Sequence, residues 1–264
     1  MIINRLHKLV IVATLLIGCS DYVEVTAHRG ASGLAPENTI ASVKKAIELK
    51  ADYSEIDVQE ISDGSIILFH DTSLNRTTGN NGNIWNQTLQ TLSQMEAGSW
   101  FSEEFTGEKI PLLEEIIDLA NDAMKLNIEL KMNGNEKLLA KKVIKIVHNK
   151  NFVDRCIITS FDFNEVNKVR EIDRNIKIGY IFKNIPEDID VFTANCEILS
   201  VSRKIVDREF VNKAKLYNKE IHVWTVDNPE EMEKLINLGV DNIITNRPDV
   251  LRSVLKKLSR NPFL

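Results

Sequence analysis

The strongest constraint on the fold is the regular alternation of strand-like and helix-like segments along the chain. Runs rich in β-branched and other apolar residues predict strands at eight places, residues 23–27, 53–59, 127–130, 157–160, 177–182, 198–201, 221–226 and 242–245. Helical spacing of apolar residues fills the intervals at 37–50, 112–124, 137–149, 164–172, 207–217, 230–238 and 248–258, and more weakly at 186–192. Strands that alternate with helices in this way form a parallel sheet, and eight such units close as a (β/α)8 barrel.

An open, doubly wound sheet is the alternative for the same α/β alternation. Such sheets often carry a glycine-rich dinucleotide fingerprint directly after the first strand, and this chain has none there. A length of 264 residues suits a single barrel, and 43% hydrophobic residues are enough for a substantial core. The barrel is therefore the favoured prediction.

A further strand-like run, residues 65–69, interrupts this alternation. The Asp-Gly dipeptide at 63–64 is a two-residue hairpin signal, and so short a connection allows only an antiparallel return. Counting outward from this loop places Asp57 directly opposite His70, and Glu55 shares their face because side chains alternate along a strand. We therefore predict a hairpin, followed by a long loop, as an excursion after the second strand.

Polar residues also mark the ends of other predicted strands. His28 ends the first strand and Arg29 follows it, which places an acid–base candidate beside a cation that can bind an oxyanion. Glu129 and Lys131 end the third strand, two residues apart on one face. Because active sites of such barrels lie at the carboxyl ends of the strands, we expect these groups to converge with the hairpin face. For residues 55–70 alone, a solvated face without a catalytic role is the alternative.

Three carboxylates among these residues predict a metal site. Glu55, Asp57 and Glu129 offer hard oxygen ligands, and waters and phosphate can complete the shell. Oxygen ligands of this kind suit Ca²⁺ or Mg²⁺ better than zinc. We therefore expect one divalent cation, Ca²⁺ or Mg²⁺, as the cofactor.

A series of short motifs resembles one known family along nearly the whole chain after residue 22. The motifs are H-R-G at 28–30, P-E-N-T at 36–39, E-x-D at 55–57, H-D at 70–71, L-x-R-T-T at 74–78 and E-x-K at 129–131. In this order they resemble the glycerophosphodiester phosphodiesterases, although each motif alone is a weak signal. Asn242 stands where the family often has glycine, and residues 132–134 match no distinctive family pattern.

The resemblance implies a TIM barrel that hydrolyses glycerophosphodiesters, such as glycerophosphocholine and glycerophosphoethanolamine, to sn-glycerol 3-phosphate and an alcohol. It implies His28 and His70 as the general acid–base pair, Glu55, Asp57 and Glu129 as metal ligands, and Arg29, Lys131, Phe161 and Trp224 as substrate contacts. Chemistry supports these roles, because phosphodiester hydrolysis requires neutralised phosphate oxygens, a deprotonated nucleophile and a protonated leaving group.

Two other functions are compatible with the same fold. One is a barrel phosphodiesterase that acts on intact phospholipid, and the other is a catalytically inactive surface lipoprotein that binds a ligand. An inactive relative would be expected to lack a histidine or a metal carboxylate, whereas all five are present here. A net charge of -5 without a dense Lys/Arg cluster argues against a nucleic-acid partner. The sequence favours an enzyme with a small-molecule substrate.

The first residues predict export. Arg5 and Lys8 precede an apolar run at 9–17 that is too short to cross a bilayer. The run ends in Leu-Ile-Gly-Cys at 16–19, which resembles a bacterial lipobox and makes Cys19 the lipidated residue. We therefore predict a signal peptide at 1–18, a tether at 19–22, one barrel domain at 23–264 and attachment to the cell envelope as a lipoprotein. An ordinary signal peptide is the alternative.

Overall fold

In the computed structural model, which describes residues 22–260, the strands close into a barrel. The strands are β1 Glu24–Ala27, β2 Tyr53–Glu60, β3 Ile66–Leu68, β4 Lys125–Leu130, β5 Cys156–Ser160, β6 Lys177–Phe182, β7 Ile198–Ser202, β8 Glu220–Trp224 and β9 Asn242–Thr245. Within this range, eight strands are parallel neighbours in the closed order β1–β2–β4–β5–β6–β7–β8–β9–β1, and β3 pairs antiparallel with β2. The predicted (β/α)8 barrel is confirmed, and the open sheet is excluded.

Most of the helices cover the outside of the barrel. The helices are α1 Ile40–Glu48, α2 Asn75–Thr78, α3 Leu89–Leu92, α4 Leu113–Ala120, α5 Leu139–Asn149, α6 Phe163–Ile172, α7 Arg208–Leu216, α8 Pro229–Leu238 and α9 Pro248–Arg260. The short α2 and α3 are the exceptions, because they belong to the segment after the hairpin. All residues of β2 are buried, because barrel strands are covered on both faces. Ile56 and Val58 join the large apolar core, while Glu55 and Asp57 alternate with them and belong to the polar interior.

The first helix begins three residues later than the predicted start at residue 37. Asn38 has a φ of 56°, in the left-handed region, so it does not continue a right-handed helix. Thr39 caps the helix instead, and its hydroxyl accepts a hydrogen bond from the backbone N–H of Ser42 at 3.2 Å. This late start leaves the Asn38 side chain free to bond to β2.

The weak helical pattern at 186–192 is a wrong prediction. The connection between β6 and β7 consists of turns in the described chain. Val191 and Phe192 are buried and anchor the connection to the core. Two adjacent apolar residues do not form a helical stripe.

The predicted register of the hairpin is also wrong, by one residue. Val58 lies opposite Leu68, and the N–H of Phe69 donates to the carbonyl of Asp57 at 3.0 Å, so Asp57 faces Phe69 rather than His70. The loop has three residues, 62–64, and only its glycine has a positive φ, 86°. A two-residue loop of the predicted type needs positive φ at both positions, whereas a three-residue loop needs it only at the last. His70 therefore lies beyond the paired part of β3.

The segment after the hairpin encloses a small core of its own. The buried members of this core are Ile61, Ile67, Phe69, Leu74, Ile84 and Leu92. Trp85 packs against them. The segment is thus an ordered side structure that fixes the position of His70 at the barrel mouth.

The predicted signal peptide and Cys19 lie outside the described residues. Within residues 22–260, every helix is too short or too polar to cross a membrane.

Candidate active site

One cavity of about 280 Å³ opens at the carboxyl ends of the barrel strands. It is lined by the predicted site residues His28, Arg29, Glu55, His70, Glu129, Lys131, Phe161 and Trp224, together with Asn127, Thr159, Ile181, Lys183, Ser200, Thr225 and Ile244. Asp57, the remaining predicted residue, lies beside Glu55 and Glu129 with its carboxylate within reach of theirs. The structure thus brings all nine predicted residues together, including His70 despite its changed register.

Three carboxylates form the buried base of the cavity. Asp57 of β2 is the register partner of Glu129 of β4, and Glu55 is two residues earlier on β2. One oxygen from each of the three lies within 4.8 Å of the others. Burial, followed by the charges of Asp57 and Glu129, raises the pKa of Glu55 well above its usual value. Burial and the charge of Asp57 raise the pKa of Glu129 to about 7, although Lys131 opposes the change.

Asp57 differs from its two neighbours because polar partners stabilise its charge. Burial alone would raise its pKa, but the positive charges of Arg29 and Lys131 lower it below the usual value. The amide of Asn38 donates to Asp57 Oδ2 at 2.8 Å, and Asn38 Oδ1 accepts from the Asp57 backbone N–H at 3.1 Å. Asn38 therefore fixes both the side chain and the backbone at this position.

Two cations flank the carboxylates. Arg29 has a φ of 53°, and its backbone N–H donates to Glu55 Oε2 at 2.8 Å. Its side chain donates from Nη1 to Glu37 at 2.9 Å, and its Nε lies 3.3 Å from Asp57 Oδ2. Lys131 Nζ lies 2.7 Å from Glu129 Oε1 and 3.5 Å from Asp57 Oδ1. Both cations are thus placed to contact an anion bound over the cluster.

The carboxylate cluster fits a divalent cation. Glu55 Oε1 is buried and has no hydrogen-bond partner among residues 22–260. A buried carboxylate oxygen without a partner is costly, and a metal ion is one way to satisfy it. Three carboxylate oxygens form a hard donor set, as Ca²⁺ and Mg²⁺ prefer.

His28 is oriented by residues that follow β8 and β9. Its Nδ1–H donates to Asn246 Oδ1 at 2.7 Å, and the amide of Asn246 donates from Nδ2 to Asp227 Oδ2 at 2.7 Å. Because a carboxylate only accepts, Asp227 fixes which end of the Asn246 amide faces His28. His28 Nε2 is left as the acceptor and lies 4.0 Å from Glu55 Oε2. Burial and the charge of Arg29 lower the pKa of His28 to about 4, so the ring is neutral at pH 7.

His70 has an anionic partner instead. Its Nδ1–H donates to Asp71 Oδ1 at 2.6 Å, and Arg76 Nε donates to Asp71 Oδ2 at 2.6 Å. Burial would raise the pKa of Asp71, but hydrogen bonds from Arg76 and His70 lower it to about 2. Arg76 also binds Glu37 through two nitrogens. The His70 ring is therefore fixed through Nδ1, and Nε2 is the nitrogen that can exchange a proton with a bound molecule.

An aromatic pair forms one wall of the cavity. Phe161 and Trp224 meet edge to face, with ring centroids 5.5 Å apart. Phe161 is 41% exposed, and Lys131 Nζ lies 5.7 Å from its ring centroid. This wall offers an apolar surface beside the Lys131 ammonium group.

Sequence reasoning missed the residues that orient this site. Asn38, Glu37, Asp71 and Arg76 lie within the recognised motifs and could have been singled out there. Asp227 and Asn246 carry no motif of their own, and only the folded barrel reveals their role.

We expect Asn246→Ala to lower kcat about tenfold to a hundredfold, because partners that orient a reacting histidine typically contribute this much. KM should change by less than about twofold, since Asn246 lies behind the ring. Steady-state kinetics and a thermal melt measure both effects. Ser32→Ala is the matched control, because the Ser32 hydroxyl also donates to Asn246 Oδ1, at 2.8 Å, without touching the ring. Equal effects of the two variants would contradict a role in orienting His28.

Two acid–base candidates, two cations and a cluster of hard oxygen ligands can together neutralise and cleave a phosphate ester. The fold and the cavity thus define a barrel hydrolase of the phosphoric ester class.

Comparison with known proteins identifies the family. Residues 28–250 match the model of the glycerophosphoryl diester phosphodiesterase family, and the chain belongs to that family. A glycerophosphodiester phosphodiesterase of Caldanaerobacter subterraneus is 35% identical over 246 residues, which cover 88% of this chain and 98% of the relative. One of Bacillus subtilis is 30% identical over 256 residues, covering 89% and 87%.

A solved structure supports the same assignment. A phosphodiesterase of Oleispira antarctica, in complex with the product sn-glycerol-3-phosphate, superposes with a TM-score of 0.84 at 31% identity. The match covers 88% of this chain and 96% of that one. The family and enzyme class that the motifs imply are therefore confirmed.

Proposed function

We propose that the protein hydrolyses glycerophosphodiesters such as glycerophosphocholine and glycerophosphoethanolamine to sn-glycerol 3-phosphate and an alcohol, with the help of one divalent cation. One observation carries the proposal: two imidazoles, each fixed through Nδ1, line the same cavity as a buried three-carboxylate cluster. The complex of the Oleispira antarctica phosphodiesterase with sn-glycerol-3-phosphate supports the same product for this chain.

Phosphate binding is the first requirement of the reaction. Arg29 and Lys131 contact the non-bridging oxygens, while Glu55, Asp57 and Glu129 hold the cation. When bound there, the cation neutralises phosphate charge and makes the attacking hydroxyl group more acidic. The wall of Phe161 and Trp224 packs against the glycerol carbons. Together, these contacts fix the position of the phosphorus atom relative to both histidines.

Proton transfer is divided between the two histidines. Neutral His28 accepts at Nε2 the proton of the attacking O–H group, because its Nδ1 already donates to Asn246. The attacking group is water or the glycerol hydroxyl next to the ester; in the second case a cyclic phosphate forms first, and water then opens it to glycerol 3-phosphate. His70 donates a proton from Nε2 to the leaving alkoxide as the bond between phosphorus and the alcohol oxygen breaks. Its Nδ1–H stays bonded to Asp71, so the transferred proton comes from Nε2.

Product analysis tests the bond that is cleaved. We expect choline or ethanolamine together with glycerol 3-phosphate, because the phosphate group stays with the glycerol arm. Deacylated substrates should react faster than their diacyl counterparts, since residues 72–111 contain no long apolar run or basic amphipathic helix to enter a bilayer. Phosphorus NMR and chromatography of matched deacylated and diacyl substrates measure both. Free glycerol with phosphocholine, or faster turnover of the diacyl lipid, would indicate a phospholipase-like enzyme.

We also propose that Cys19 attaches the protein to the cell envelope through a lipid. The support is the position of residues 16–19, which end a short apolar run that follows two basic residues. Cys19→Ala should move the protein from the membrane fraction to the soluble fraction and abolish labelling by a fatty-acid analogue. If the wild-type protein is soluble and carries no lipid, the lipoprotein prediction fails and an ordinary signal peptide explains the first residues instead.

A further inference from the structure

The rim of the active-site cavity includes a third cation, Lys183, which has no role in the mechanism above. Lys183 follows the last residue of β6 and lines the cavity. Tyr180 and Phe182 pack into the large core, so Ile181 and Lys183, which alternate with them, face the barrel axis and its mouth.

Lys183 differs from the other cations of the cavity in its partners. Arg29 and Lys131 each lie within ion-pair distance of carboxylates. Lys183 forms neither an ion pair nor a side-chain hydrogen bond with any residue in the described range, although its side chain is exposed at the cavity. Its charge is therefore available to a bound molecule.

The order of strands fixes where this charge lies. Along the closed barrel, β6 is four strands from β1 in either direction, so it is diametrically opposite β1. Arg29 follows β1, and Lys183 follows β6. A phosphodiester held near Arg29 and Lys131 must therefore extend one of its two arms across the mouth to reach Lys183.

We propose that Lys183 recognises a second anionic group, a carboxylate or a phosphate, on the leaving-alcohol arm of the substrate. The glycerol arm of a glycerophosphodiester carries no charge, so only the alcohol arm can present a second anion to Lys183. A cation without a protein partner attracts an anion there and repels a protonated amine. This inference rests on the proposed hydrolysis of glycerophosphodiesters and adds a preference among the alcohols.

Matched substrates and matched lysine variants test the proposal. Glycerophosphoserine and glycerophosphoethanolamine differ only in a carboxylate. Likewise, bis(glycerophospho)glycerol and glycerophosphoglycerol differ in a second glycerophosphate unit. For Lys183→Met we expect kcat/KM to fall about tenfold with the more anionic member of each pair, as for loss of one charge-assisted hydrogen bond. With the less anionic member it should change by less than about twofold.

The change should appear in KM rather than kcat, because the second anion is bound equally in the ground state and the transition state. Lys183→Arg should retain the preference. Lys204→Met is the matched control: Lys204 is also exposed and follows the neighbouring strand β7, but it does not line the cavity.

The outcomes separate this inference from the proposed function. If the wild-type protein cleaves none of the four substrates, the proposed function fails. If it cleaves them and Lys183→Met changes both members of each pair equally, or no more than Lys204→Met does, Lys183 has no role in specificity. A loss confined to glycerophosphoserine, or to bis(glycerophospho)glycerol, identifies the anion that Lys183 recognises.

Discussion

The metal-free protein is expected to lose at least about a hundredfold in turnover, and Mg²⁺ or Ca²⁺ should restore it. Without a cation, the carboxylates of Glu55, Asp57 and Glu129 lie within 4.8 Å of one another and repel an anionic phosphate. Chelation, dialysis and stepwise return of each ion, followed by rate measurement, test this expectation. Glu129→Gln should weaken the response to the ion, whereas Glu114→Gln, on the outer helix α4, should not. Full activity in the chelated protein would contradict the carboxylate assignment.

Stability provides a second readout of the same site, independent of turnover. In the metal-free protein, Glu129 has a pKa of about 7, against 4.5 for an ordinary glutamate, so the native state holds a proton that the unfolded chain has lost. Stability therefore falls as pH rises between these values, by about 1.4 kcal/mol per pH unit for one such group. His28 acts in the opposite direction, because its pKa of about 4 lies below the usual 6.5.

Between pH 4.5 and 6.5 the opposite effects of Glu129 and His28 on stability largely cancel. The net loss of stability should therefore become clear above pH 6.5. Glu55, whose pKa is also raised, adds to that loss. A bound cation replaces the proton and removes the repulsion. The rise in Tm on adding Mg²⁺ or Ca²⁺ should therefore be larger at pH 8 than at pH 5.5. A rise that is the same at both pH values would be inconsistent with binding at these carboxylates.

His28→Ala and His70→Ala are each expected to lower kcat by about 10²- to 10⁴-fold, because proton transfer by a positioned group typically contributes that much. The fold should remain, since both rings border the cavity and neither belongs to the apolar cores. Circular dichroism and a thermal melt check this. His148→Ala is a matched control, because His148 pairs with Asp173 on the outside of the barrel at 2.6 Å. Near wild-type turnover in either cavity variant would show that the histidine is not an acid or base.

The strand order was predictable because its signals are local. Each strand of the barrel is a short apolar run, and its ends can be read from the periodicity of a few neighbouring residues. Since the topology of a (β/α)8 barrel places every strand end on one face, the convergence of His28, Glu55 and Glu129 followed from the order alone. The convergence of a histidine and carboxylates at the base of the cavity could therefore be predicted from the sequence.

Finer geometry depended on contacts that the sequence does not encode locally. An Asp-Gly dipeptide fits two hairpin loops that differ by one residue, and hydrogen bonds from Ser65 and Leu89 to Asp63 accompany the longer one. Asn246 is 218 positions from His28, and no periodicity links such distant residues. Nothing in the sequence distinguishes Lys183 from other surface lysines, because its place at the cavity depends on the position of β6 opposite β1.

The pairing of β1 with β9 also determines when the enzyme can become active as it is made. A chain emerges from its N-terminus, so β1 and His28 are available early while β9 and Asn246 come last. Until β9 arrives, β1 and β8 each present an open edge that can pair with another chain. Closure of the barrel removes both edges and, in the same event, orients the ring of His28. Nascent chains interrupted before residue 242 would therefore be both inactive and prone to associate, which couples activity to completion of the polypeptide.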